Sequence, residues 1–199
     1  MFSQSIDKWK EGRYYDLKGV RHEGLIYYDY HSFAIKFRKT PESQNTRLKP
    51  WKVRGFVMER DTFSILEDFF YEGPNGGRNH EIMDFVEVLD TGFVKLYKHY
   101  ANIKSTSGPL GVAGIPFAIN FMYSWDLVNY LLLRKGATSP VLVWKRNPKK
   151  FKEQMLSYFK NYPEFVFKIE ADQYSWESIP LLIKEFNAHK RRVTPANNP

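Results

Sequence analysis

Hydrophobic and polar positions alternate through much of the first 145 residues, and then the period changes. Phe33, Ile35 and Phe37 share one parity while Ala34, Lys36 and Arg38 share the other. That is the two-residue period of a strand with one buried face. Arg13 to Lys39 divides into three short strands, RYYDLKG, EGLIYYD and FAIKFRK, with turns at Lys18–Gly19 and near Asp29–Ser32. RLKPWKVRGFVM, interrupted at Pro50, and DTFSILEDFFYE supply further strands, and GPNGGRNH reads as a loop tip. Ile82–Leu89 and Phe93–Lys98 predict a hairpin about Asp90–Thr91–Gly92, with Gly92 expected to take the positive φ of the bend. NYLLLRKGATSPVLVWK predicts another, about Lys135–Gly136.

From residue 147 the spacing is helical. Asn147 is placed to cap and Pro148 to occupy the first turn. Phe151, Met155, Tyr158 and Phe159 then fall on one stripe. A second short helix begins at Pro163. A third is capped near Ser178 with Pro180 in its first turn, and directs Leu182, Ile183 and Phe186 to a core. Strands followed by helices predict an α+β domain over residues 1–188. Residues 12–145 form an antiparallel β-rich part of about eight to ten strands, 146–188 hold two or three helices, and 189–199 form a disordered tail.

Charge alters this picture only locally. The net charge is +8, yet residues 61–100 carry 8 acidic against 3 basic side chains. The surface is therefore a mosaic and not one basic field. With 17% aromatic residues the chain suits a pleated, ring-packed sheet. The absence of cysteine excludes a disulfide scaffold, cysteine-ligated zinc and thiol catalysis. Ser105 to Trp125 is uncharged for 21 residues, but its prolines, glycines and polar residues argue for a long loop or irregular hairpin and against a transmembrane span.

The motifs GRYYDLKGVRHEGLIYYD and SFAIKFRKT, then RLKPWKVRGFV, DFVEVLDTGFVKLYK, YLLLRKG and the final Lys184–Glu185–Phe186–Asn187, occur in an order that resembles a family of exported proteins of Bacteroidota with no assigned activity. The resemblance covers most of residues 12–188. It implies an export signal and a periplasmic or outer-membrane location, and it transfers no catalytic or binding residue. The opening MFSQSIDKWK has no basic or long apolar leader, and reads as the region around the cleavage point of a removed signal peptide.

No catalytic or metal motif stands out. His22, His31, His80, His99 and His189 lack metal spacing, and Arg78–Asn79–His80–Glu81 with Asp84 reads as a loop tip entering a strand. The expectation is no catalytic site, no metal and no cofactor. Lys145, Arg146, Lys149, Lys150 and Lys152 form the candidate anion-binding cluster, suited to an anionic lipid surface or another polyanion, against the reading of a solvated helix face. Leu110, Val112, Ile115, Phe117, Phe121, Met122, Tyr123 and Trp125 form the candidate partner-binding segment, against packing on their own domain. The expected function is a non-enzymatic envelope interaction module with a protein partner, such as an accessory subunit of an outer-membrane or secretion-related assembly. The alternatives are a nucleic-acid-binding module, disfavoured if the protein is exported, and a glycan or lipid hydrolase.

Overall fold

A computed structural model describes residues 9–30, 32–73, 76–101 and 128–193. They form the expected α+β architecture: an antiparallel sheet of ten strands followed by three helices. The strands are β1 (Lys10–Asp16), β2 (Arg21–Tyr27), β3 (Ile35–Arg38), β4 (Thr46–Leu48), β5 (Val53–Met58), β6 (Asp61–Glu72), β7 (Arg78–Thr91), β8 (Val94–Tyr100), β9 (Val128–Arg134) and β10 (Val141–Leu142). The helices are α1 (Pro148–Phe159), α2 (Pro163–Glu170) and α3 (Ile179–Val193). Strand order is β10-β9-β8-β7-β6-β5-β1-β2-β3-β4.

The sheet curls twice. β4 and β5 are four strands apart across the sheet, which would separate them by about 19 Å if it were flat. Only the single 3-10 turn at Pro50–Lys52 joins them, and that connection reaches roughly 13 Å. The first five strands must therefore wrap into a barrel, and the Pro50–Lys52 turn packs against β5 and β7. Its interior holds Ile26, Ile35, Val53, Phe56, Phe63 and Phe85, all nearly inaccessible to solvent. Phe56 stacks on Phe63 at 4.4 Å, and Tyr28 stands edge-on to both.

Beyond β6 the curl reverses. Phe85 faces the first core, whereas its neighbour Val86 faces a second, with Leu66, Phe69, Tyr97, Leu131 and Leu142. Alternation along β7 thus gives one strand to two interiors. Asp68, at φ 49, lets β6 change side, so that Phe69 and Tyr71 turn to the interior Leu66 already faces. β10 comes back against β6. The helices cover the other face of β8 and β9, burying Phe151, Met155, Phe159, Phe165, Ile169 and Phe186 against Val94, Leu96 and Leu132.

Three side-chain amides complete the backbone bonding that the strands leave open. Asn129 accepts from Glu72 N at 2.8 Å and donates to Glu72 O at 3.1 Å, clasping the end of β6 to β9. Gln154 of α1 accepts from Trp144 N at 3.0 Å and donates to Leu142 O at 2.7 Å, closing the outer edge of β10. Asn187 of α3 accepts from Val94 N at 2.9 Å and donates to Val94 O and Asp90 Oδ1, both at 2.7 Å. Each amide meets a donor and an acceptor, as a paired strand would.

Several expectations change. Gly92 has no positive φ; glycine is needed there because a Cβ would lie 2.4 Å from Asn187 Cγ. Phe33 precedes β3 and packs on Trp51 instead of joining the interior face of the strand. The tail expected from His189 is helical as far as Val193, and Lys190 lies over Phe93 at 4.7 Å. Strand structure begins at Lys10, before the expected boundary at 12. Asn147 does cap α1, accepting from Lys150 N at 2.9 Å.

Candidate functional site

The outward face of the first barrel follows from register, because residues paired across antiparallel strands share a side. Arg13 pairs with Glu23, Tyr15 with Arg21, and Glu11 with Leu25. Leu25 pairs in turn with Arg38, Tyr27 with Lys36, and Lys36 with Arg47. Their neighbours Tyr14, Ile26 and Phe37 border or fill the interior, so this set faces outward. One wall thus carries five cations, two acids and the rings of Tyr15 and Tyr27. Trp9 joins it, 5.9 Å from Tyr27, with the Arg38 guanidinium 4.2 Å over its indole. Lys36 stands 5.2 Å over Tyr27, and Arg13 donates to the Tyr15 hydroxyl at 3.0 Å. Arg21 pairs with Glu23. A shallow depression of about 970 Å³ crosses this region, bordered by Trp9, Arg13, Glu23, Leu25 and Pro41. Cations held over flat rings keep their charge toward solvent while the rings stay ordered.

The expected anion-binding cluster is divided among separate partners. Lys145 lies 4.6 Å over Trp176, and Lys150 4.7 Å over Trp144. Arg146 Nε meets Glu72 Oε1 at 2.9 Å, at the end of β6. Lys152 donates to Asp172 Oδ1 at 2.7 Å and to the Glu170 carbonyl at 2.8 Å. Lys149 is exposed. The five cations therefore do not converge on one point. The expected partner-binding residues Leu110, Val112, Ile115, Phe117, Phe121, Met122, Tyr123 and Trp125 lie outside the described residues.

The second interior also holds a polar group that the sequence did not single out. His99 Nε2 lies 3.2 Å from Asp84 Oδ2, with both side chains almost wholly buried. Asp84 Oδ1 accepts from Phe85 N at 2.7 Å. Phe69 and Tyr71 stand edge-on to the imidazole, each at 5.0 Å. Neither His99 Nδ1 nor Glu72 Oε2 has a hydrogen-bond partner among the described residues. A histidine held by an aspartate is two-thirds of a hydrolytic triad. Here, however, the imidazole is sealed from solvent on all described sides. The register shift between Val88 and Asp90 brings the two together, since it sets Glu87 opposite Lys98 and Asp84 on the side of His99. The cluster considered around His80 is split: His80 pairs with Asp68 at 2.6 Å while Asp84 turns inward. Among the described residues no group of three or more metal-ligating side chains converges, and no helix is long and apolar enough to cross a membrane.

At the helical layer, Glu185 accepts from the Tyr174 hydroxyl at 2.7 Å and pairs with Lys168 at 3.1 Å. First the tyrosine hydrogen bond and then the lysine hold its carboxyl below the usual glutamate range. Burial, reinforced by the Glu185 bond, pushes the Tyr174 hydroxyl up. Against this geometry, no family model, no curated protein and no solved structure matches the chain.

Proposed function

We propose that the protein is a non-enzymatic, exported component of the cell envelope, and that it acts as an interaction module through the outer wall of its first barrel. The observation that carries this reading is the wall itself, where Trp9, Tyr15 and Tyr27 are interleaved with Arg13, Arg21, Lys36, Arg38 and Arg47 against two acids. Aromatic and arginine side chains are the residues that anchor protein interfaces. The excess of cations matches an acidic protein surface, the partner that the charge pattern suits best. The envelope location rests on the resemblance of the ordered sequence motifs. Cell fractionation followed by co-purification from native envelopes tests the proposal. Recovery with an envelope protein supports it; a strictly monomeric protein found only in cytosol overturns it.

A second reading is favoured by the same rings. Half-buried aromatics among cations, such as Trp9, Tyr15 and Tyr27, can also stack the bases of single-stranded nucleic acid. That reading predicts oligonucleotide binding that weakens steeply as salt rises. Absence of binding at low salt eliminates it.

A further inference from the structure

A separate cavity of about 290 Å³ opens between α1, α2 and the segment joining α2 to α3. We propose that it binds one aromatic residue, as a free amino acid or within a peptide, with the ring inside and a net-neutral polar head at the rim. The volume is close to the lower end of the roughly 300–1,000 Å³ usual for small-molecule sites, which suits one ring and not two. The walls are apolar: Phe151 and Pro148 from α1, Ile169 from α2, and Tyr174 and Trp176 from the connection. Trp176 is held as a wall by Tyr130, 4.6 Å away. Its buried indole N–H has no hydrogen-bond partner among the described residues.

The rim decides the charge of the ligand. Lys152 faces Asp172 at 2.7 Å, and Lys145 and Glu177 also line the opening. Two cations and two anions thus surround the mouth. A lone anion meets Asp172 and Glu177, a lone cation meets Lys145 and Lys152, and either is opposed by like charge at short range. A dipolar head, ammonium with carboxylate or a peptide amide, meets a counterpart on each side. This inference is independent of the basic wall, which lies on the first barrel and shares no residue with the cavity.

Calorimetric titration with four probes tests it: L-phenylalanine, N-acetyl-L-phenylalanine amide, phenylacetate and phenethylamine. Binding by either of the first two, at least about tenfold tighter than by the two singly charged probes, is the expected result (a tenfold ratio being 1.4 kcal/mol). Preference for phenylalanine indicates the free amino acid as the source, and preference for the amide indicates a peptide. Trp176→Leu should abolish the binding with the thermal transition retained. Lys145→Met keeps the apolar wall residues and removes one rim cation, so it should shift preference toward phenethylamine by about threefold to tenfold on the same scale. No saturable binding by any probe, a preference for phenylacetate or phenethylamine in the unmodified protein, or no shift in Lys145→Met overturns the proposal.

Discussion

Asn187→Ala should be among the most damaging single changes in the chain. Asn187 is 1% exposed, and Val94, which it bonds through both backbone groups, is fully buried. Truncation leaves the Val94 N–H and C=O buried without partners. It also removes one of the donors to Asp90, which keeps the Gly92 N–H at 2.8 Å. Each orphaned backbone group costs about 1–3 kcal/mol, so a loss of about 2–6 kcal/mol is expected from the pair. Against a total stability of about 5–15 kcal/mol this is a large share. Gly92→Ala attacks the same joint from the other side, because the new Cβ would fall 2.4 Å from Asn187 Cγ and 2.5 Å from Nδ2. The two costs should therefore overlap. In a double-mutant cycle by urea unfolding, the double variant should fall short of the summed single losses by about 1–3 kcal/mol. A loss below about 1 kcal/mol for Asn187→Ala, the size of one ordinary net hydrogen bond, would refute the assignment, and so would simple additivity.

The other amide clasps should rank by burial. Asn129→Ala, where both the amide and its partner Glu72 are buried, should cost more than Gln154→Ala, where the amide and its partner Trp144 are half-buried and only Leu142 is buried, by urea midpoint at constant m-value. Phe56→Ala should cost about 3–5 kcal/mol, because Phe56 is 1% exposed at the centre of the first core. Phe70→Ala, on the surface at 41%, should stay within about 0.5 kcal/mol of the unmodified protein. The pH profile should reflect Glu185, whose carboxyl is depressed in the folded state. Its stabilisation is complete above the ordinary glutamate value of about 4.3 and is lost as pH falls through the lower folded value. Glu185→Gln should accordingly flatten the acid limb of stability against pH over that window; an unchanged limb contradicts the pairing.

The strands and helices were legible because their periods are clean, and apolar residues of the motifs prove to build the two interiors and the core beneath the helices. Ile26 and Tyr28 of EGLIYYD, Val53 and Phe56 of RLKPWKVRGFV, and Phe85, Val86, Val94 and Leu96 around the hairpin are all buried. The asparagine ending Lys184–Glu185–Phe186–Asn187 is the joint between α3 and the sheet. The double curl was not legible, since a reversal of curvature depends on a left-handed residue, Asp68, in mid-strand and on a short connection between β4 and β5. The His99–Asp84 pair was hidden for a related reason. A one-residue bulge sets which side chains share a face, and alternation alone does not locate it. The directions of the side chains from Lys145 to Lys152 were not legible either, because charge density along a sequence carries no direction. In space the helix start and its approach send those side chains to different partners. The stretch EGLIYYDYHSFAIKFRK has two uses: Ile26, Tyr28 and Ile35 fill the first core, while Tyr27, Lys36 and Arg38 stand on the wall outside.

Reversing the charge of that wall is the most direct test of its role. Arg13→Glu, Lys36→Glu and Arg47→Glu combined would make the wall anionic without touching the interior positions beside them. Both versions, tagged and expressed in the native host, are to be recovered from solubilised envelopes at low and high salt. The account predicts that the unmodified protein retains an acidic envelope partner that is released by salt, and that the triple variant, equally folded by circular dichroism, loses it. Retention of the same partner by the triple variant, with the same salt dependence, would contradict the claim.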